Sequence, residues 1–308
     1  MSGDSNEEQK AKTPTKGGKG GFPFSVVRHV VQVLVLLLFL APVLVAGWPL
    51  FGGIAGGDNT ISTPSDFPFY GTLSSSSLFG ITLIDPFAVL QVVAAAKAFS
   101  LEWLIGMLPF LVIYGVIRGR VFCGWVCPVN LVLEIVDWLR IKLHIKVEER
   151  VLPRHTKVYV ALGVLVLSAL LSIPVFEALS PISFINKGLV LGSLVGGVTL
   201  LAVVVIELFW GHRVWCRSIC PLGGFYEVVG KVGLVNVRMD HAKCIGCNKC
   251  KSACLCDSEI LDDVVAGTDA MVRAGDCMLC GKCIEACPTA ALSIKLGRVS
   301  IPEKPAAE

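Results

Sequence analysis

The chain has 308 residues, 54% hydrophobic and 17% charged, with a mean hydropathy of +0.72. That composition excludes an ordinary soluble globular domain and points to the membrane class, while the net charge of +3 is too small to argue for any partner. The thirteen cysteines fall into two settings, and such runs outside a short secreted domain favour metal ligation over disulfides.

Residues 1–24 are rich in Gly, Lys and Thr and are expected to form a disordered polar tail. The apolar run that follows is too long for a cleavable signal core and is preceded by Lys10, Lys12, Lys16 and Lys19, so it reads as an uncleaved anchor. Four spans are expected at about 26–48, 101–117, 157–179 and 189–210, each near the ~20 residues that cross hydrocarbon. Basic residues concentrate in the N-terminal tail, in 118–157 and after 210, whereas 49–100 offers only Lys97 and 180–188 only Lys187. The positive-inside rule therefore places both termini and the 118–156 segment in the cytoplasm, and 49–100 and 180–188 on the other side. Ser74–Ser77 reads as a solvated or interfacial stretch; Glu102 and Glu207, near span ends, could relay protons, but the plainer reading is snorkelling or pairing with Lys97 or Arg213.

"RVFCGWVCP" follows the second apolar run, and "RVWCRSICP" follows the fourth. Each is Arg-Val-aromatic-Cys, three residues, then Cys-Pro, and each leads into another apolar segment. In 129–146, Asn130, Glu134, Asp137, Arg140 and His144 share one helical face, the pattern of a helix lying on a membrane surface. The membrane domain, 25–235, thus reads as a doubled two-span unit. From Asn236 the chain turns polar, and 236–300 is expected to be a small α+β domain of the bacterial two-cluster ferredoxin type, with 301–308 a tail.

That domain carries Cys244-x2-Cys247-x2-Cys250-x3-Cys254 and Cys277-x2-Cys280-x2-Cys283-x3-Cys287-Pro288. Two such runs are the bacterial pattern for a pair of [4Fe–4S] clusters, with the fourth cysteine of each run serving the other cluster. The expected ligands are Cys244, Cys247, Cys250 and Cys287 for one cluster, and Cys277, Cys280, Cys283 and Cys254 for the other. Structural zinc, which takes four ligands from two short pairs, fits this doubled frame poorly. Cys256 is a ninth thiol, either a bystander or an alternate ligand, and 255–276 is a long insert suited to partner docking. Cys123, Cys127, Cys216 and Cys220 could surround a further cluster or metal, act as redox thiols, or be structural. Pro128 and Pro221 suit first helical turns, placing Cys127 and Cys220 at helix N-termini, where the dipole and nearby arginines are expected to lower the thiol pKa. The histidines (His29, His144, His155, His212, His241) offer no intramembrane pair for a haem.

"RVFCGWVCPVN", "WCRSICPLGGFY", the tandem cluster run and the four-span layout resemble the NapH-type membrane ferredoxins over about residues 26–296. The missing proline after Cys254 departs from the usual run. The resemblance implies a quinol dehydrogenase component of the bacterial inner membrane. Such a protein would pass electrons from membrane quinol to a ferredoxin-type partner and on toward periplasmic nitrate reductase. The alternative is a maturation or regulatory factor for a metalloenzyme, with the frame cysteines reducing a copper site or a disulfide. No nucleic-acid pattern is present.

Overall fold

The computed structural model describes residues 23–45, 69–78, 81–145, 152–153, 155–185 and 194–297. The expected polar tails, most of the 49–68 stretch and the start of the fourth expected span lie outside these residues. α1 (Phe24–Val45) is 22 residues long, about 33 Å at 1.5 Å per residue. Its window Phe24–Ala41 has a mean hydropathy of 2.2 and, among the described residues, is the one helical stretch long and apolar enough to cross a membrane unaided.

The second and third expected spans are shorter in the structure. α3 (Leu101–Val116) and α6 (Thr156–Leu171) have 16 residues each, about 24 Å, and the described part of the fourth is α8 (Leu194–Phe209). The expectation of one span over 157–179 is corrected. α6 stops at a left-handed Ser172 (φ 56°), Pro174 cannot continue it, and α7 (Val175–Leu179) starts anew. The outward faces of these helices remain apolar: Leu34, Ile105, Leu170 and Leu201 are each at least 60% exposed.

The segment 69–96, read from sequence as part of a stretch beyond the helix ends, instead folds back into the bundle. β1 (Phe69–Gly71), β2 (Ser75–Leu78) and β3 (Ile81–Ile84) form an antiparallel sheet in which Ser75 pairs with Ile84. The serine run is therefore a central strand with Ser76 buried, not a solvated stretch. β3 lies against α3 so closely that a Cβ on Gly106 would come within 2.8 Å of the Thr82 carbonyl. Asp85 then caps α2 (Pro86–Ala96), its Oδ2 accepting from the Phe87 and Ala88 amides at 3.0 and 3.1 Å with Pro86 in the first turn. A left-handed Lys97 ends the helix. The second half repeats the device on a smaller scale. Ser180 caps the turn Pro181–Ser183, accepting from the Ile182 amide at 3.2 Å. Gln91 ties the two fold-back segments together by accepting from the Phe176 amide at 3.0 Å.

Both Cys-Pro steps break helices. α4 (Val121–Trp125) gives way to α5 (Pro128–Lys142), capped by Cys127. A π-helical turn, Trp215–Ile219, gives way to α9 (Pro221–Gly230), capped by Cys220. The polar face of α5 points inward rather than to water. Glu134 pairs with Arg28, Asp137 with Arg213 at 3.0 Å, and Asn130 accepts from Arg213 at 2.6 Å. Ile135, Trp138 and Ile141 face outward.

The C-terminal part is an extension of the same core. β4 (Val235–Met239) follows directly from the bundle, the Leu234 amide donating to the Val116 carbonyl at 2.8 Å. It pairs antiparallel with β5 (Leu292–Leu296), and the cysteine run lies between them. The insert 255–276, expected to serve partner docking, packs on this chain: Leu261 and Val264 are buried, and the buried Arg118 donates to the Val272 carbonyl at 2.9 Å.

Candidate functional site

Local backbone conformation wraps each C-terminal run. Gly246 (φ 65°) and Asn248 (φ 56°) flank Cys247, and Leu279 (φ 50°) and Gly281 (φ 76°) flank Cys280. Left-handed residues on both sides of a cysteine turn successive amides toward one concavity, a nest that suits an anion. Short helices follow at once: α10 (Lys249–Ser252) carries Cys250, and α11 (Lys282–Ala286) carries Cys283. The left-handed Asn248 and Leu279 escaped sequence reading, because only their glycine counterparts advertise the conformation.

The structure gathers the cysteines into three groups. Cys244, Cys247, Cys250 and Cys287 line one cavity, so a cysteine from the second run sits among those of the first. Cys280, Cys277, Cys254 and, from the first group, Cys250 lie within electrostatic reach of Cys283; burial, then those neighbours, pushes the Cys283 thiol well up. The four frame cysteines form the third group, each 7–8% exposed. Burial first, then the neighbouring Cys123 and Cys220, pushes Cys127 up; burial, then Cys220, raises Cys216. Burial pushes Cys220 up to about 11, although its Sγ accepts from the Gly223 amide at 3.4 Å. The expected depression of these thiols at helix N-termini is therefore overturned: the N-terminal placement holds, but removal from water outweighs the dipole.

All thirteen cysteines are free of disulfides. Among the described residues, the one group of three candidate ligand atoms within 4.8 Å of one another is His155, Glu227 and Asp276, with no cysteine in it. A tetrahedral zinc with Zn–S near 2.3 Å requires sulfurs about 3.8 Å apart. The cysteine groups are too open for a single zinc, and their thiolate-only donor sets suit a larger iron–sulfur cluster.

Arg120 stands between the frame group and the C-terminal run and is fully buried. Its Nη1 donates to Cys256 Sγ at 2.8 Å and to the Asp276 carbonyl at 3.2 Å, and its Nη2 donates to the Cys216 carbonyl at 2.6 Å. Cys256, left open by the sequence as bystander or alternate ligand, is an acceptor for this arginine. Lys157, also fully buried, pairs with Asp276 and, at 3.2 Å, with Glu227. Trp125 Nε1 donates to the Leu279 carbonyl at 3.1 Å, next to Cys280. The buried cations were read from sequence as charges near the membrane edge; only the places of Arg120 in "RVFC" and Arg213 in "RVWC" hinted at more.

Three cysteine groups with thiolate-only donor sets, the frame group tied to the C-terminal part through a buried polar hub, define an iron–sulfur protein of the ferredoxin type. Two 4Fe-4S binding domain families match the chain, one of them twice, over residues 99–146 and 193–239, and the other over residues 270–293. The double match falls once on each Cys-x3-Cys-Pro frame. The methylamine utilization ferredoxin-type protein MauN of Methylorubrum extorquens is 32% identical over 265 residues, 85% of each chain. The ferredoxin-type protein NapH of Escherichia coli is 30% identical over 268 residues, again 85% of each chain. MauN of Paracoccus denitrificans is 34% identical over 209 residues, 67% of this chain and 74% of its own. No solved structure matches. The chain belongs to the NapH and MauN family of ferredoxin-type proteins.

Proposed function

We propose that the chain is a membrane-bound electron-transfer protein that takes electrons from membrane quinol and hands them to a ferredoxin-type partner. Cys244, Cys247, Cys250 and Cys287 would hold one [4Fe–4S] cluster, and Cys277, Cys280, Cys283 and Cys254 a second. Cys123, Cys127, Cys216 and Cys220 would hold a third. Such clusters supply one-electron chemistry; the protein supplies the donor sets, the amide nests and the spacing. The observation that carries the reading is the set of three cysteine groups, with the sealed frame group tied through Arg120 to Cys256 and Asp276 of the C-terminal part and another group open at Cys247.

Placement in the cytoplasmic membrane with both termini inside, α1, α3, α6 and α8 contacting hydrocarbon, is supported by their exposed apolar faces and by the basic residues near their inner ends. Helices of 16 residues cover less than the ~30 Å of hydrocarbon, so α3 and α6 would rely on the fold-back segments and on local thinning. Resemblance to the NapH type favours periplasmic nitrate reductase as the final destination of the electrons. Relatives named for methylamine utilization match as strongly, so the partner decides the pathway.

Iron and labile sulfide counts on anaerobically purified protein test the site assignment. Three clusters of this type give about twelve irons per chain. About eight irons would remove the third cluster, and colourless protein loaded with zinc would overturn the whole reading. Addition of a short-tailed hydroquinone should bleach the visible absorbance; its failure to do so while dithionite succeeds would refute the quinol donor.

A further inference from the structure

A small cavity lies where the two fold-back segments meet the first frame. Its walls include Ser74, Asp85, Gln91, Phe122, Glu177 and Ser180, and its volume of about 20 Å³ is room for about one water molecule. Two carboxylates face it. Asp85 is 6% exposed, whereas Glu177 is half-buried and so lies nearer to water. Asp85 Oδ1 accepts from the Tyr226 hydroxyl at 2.6 Å, and Glu177 Oε1 accepts from the hydroxyls of Ser74 and Ser183, each at 2.8 Å. Gln91, whose Oε1 is used by the Phe176 amide, leaves a fully buried Nε2 with no partner among the described residues. An unmet buried donor on the wall of a water-sized cavity marks a place for a water or a ligand oxygen.

Capping does not explain the acid. Ser180 caps the corresponding turn in the second half with a neutral hydroxyl, and a neutral Ser or Asn caps a helix as well as Asp does. The titratable groups facing Asp85 are Tyr226 from α9, Glu177 from α7, Tyr114 from α3 and Cys123 from α4. Burial pushes Asp85 up to about 6, against the lowering by the Tyr226 hydroxyl and the Ala88 and Phe87 amides. A carboxyl in that range changes protonation readily at neutral pH.

We propose that Asp85 and Glu177 form a proton-transfer site, in which Asp85 accepts the protons released when hydroquinone is oxidised beside the frame cysteines, and the cavity water passes them to Glu177. This rests on the quinol reading above. Oxidation of a hydroquinone to a quinone breaks two O–H bonds and releases two protons and two electrons. The electrons go to the iron–sulfur chemistry that the cysteines support. Each proton joins a carboxylate oxygen of Asp85 in turn. The acid so formed loses it through the water to Glu177 and then to solvent, which restores the carboxylate for the second proton. Location at the junction of two repeat-related fold-back segments matches how membrane proteins build polar sites within a bundle.

The test uses the full-length, cluster-loaded chain under anaerobic conditions, with a short-tailed hydroquinone and dithionite as alternative reductants. Asp85→Asn keeps the helix cap, and Glu177→Gln keeps an acceptor for Ser74 and Ser183. Asp85→Asn should slow reduction by hydroquinone on the order of 10²-fold while iron content and reduction by dithionite match the parent. Glu177→Gln should slow it less. An infrared pH titration, independent of the donor, should show a carboxyl changing near pH 6 in the parent and not in Asp85→Asn. Parent-like hydroquinone rates in Asp85→Asn would overturn the inference alone, as would absence of that carboxyl from the parent. A parent that dithionite reduces and hydroquinone does not would sink the donor reading and the inference with it. Should Asp85→Asn lose iron, Glu177→Gln and the infrared titration decide: a parent-like rate in Glu177→Gln rejects the relay.

Discussion

The Cys-x3-Cys-Pro quartet and the C-terminal cysteine runs are each built by repetition, yet one is sealed throughout and the other only in part. Cys123, Cys127, Cys216 and Cys220 are each 7–8% exposed; Cys250, Cys277 and Cys283 are as buried at 8–9%, but Cys247 is exposed and Cys244, Cys254, Cys280 and Cys287 are partly so. Burial raises the thiols of Cys250, Cys254, Cys280 and Cys283 as it does those of the frames, and Cys287 departs from them. Burial drives Cys220 up to about 11. Cys287 lies below its ordinary value because hydrogen bonds from Thr289 and the Ala291 amide outweigh its burial. An edge that reaches water can meet another protein, while a sealed group exchanges only with what the interior brings to it. Under the function proposed above, the frames would form the inside of an electron path and the run its exit.

Three perturbations would break or sharpen that contrast. The largest effect is expected from Arg120→Ala. It removes a donor from Cys256 and from the Cys216 carbonyl and leaves the buried Asp276 with Lys157 as its charge partner, and losing one partner of a buried charge pair costs about 3–5 kcal/mol. Denaturant unfolding in detergent measures it; a cost below about 1 kcal/mol would mean that the frames and the run are not coupled through this residue. Gly124→Ala should act at the same seam more gently. Its new Cβ would meet the Met278 carbonyl at 2.8 Å, and overpacking of that kind costs about 1–3 kcal/mol. Spectroscopic change at the C-terminal clusters without loss of iron would show that the seam sets their surroundings.

The smallest effect concerns acid. Burial alone would raise Glu134 and Asp137, but Arg28 and Arg213 on the first, and His212 and Arg213 on the second, bring both below their ordinary values of 4.5 and 3.8. A depressed carboxyl stabilises the fold above its unfolded value and stops doing so as pH falls through the lower folded value. Stability should therefore hold from neutral pH to about 4.5 and fall below it, and Glu134→Gln should flatten that decline. An unchanged acid profile in Glu134→Gln would show that the Arg28 pair contributes nothing.

Much of the site was legible before any coordinates. The x2-x2-x3 spacing names its own chemistry, because thiolates three residues apart can share a cluster while the fourth must reach elsewhere. The Cys-Pro steps announced helix starts at Pro128 and Pro221, since proline fits a first turn and excludes the one before it. Asp85, Gln91, Glu177 and Arg120 stayed hidden. An Asp before a proline reads as a cap, and an arginine near an apolar run reads as an inner-face charge; neither pattern says that the side chain ends in the core. The end of α6 was missed for a similar reason: hydropathy runs smoothly through Ser172–Pro174, while the backbone does not.

From sequence alone come the apolar class, the doubled frame and the two cysteine runs whose spacing suits iron–sulfur ligation, because spacing along a chain limits which atoms can meet. Tertiary structure alone decided that 69–96 folds back to Tyr226, that the polar face of α5 turns inward, and that the C-terminal run rests on Arg120 and Lys157. These outcomes depend on which distant groups can satisfy a buried charge or amide. Periodicity places a residue on a face; only packing chooses what that face meets.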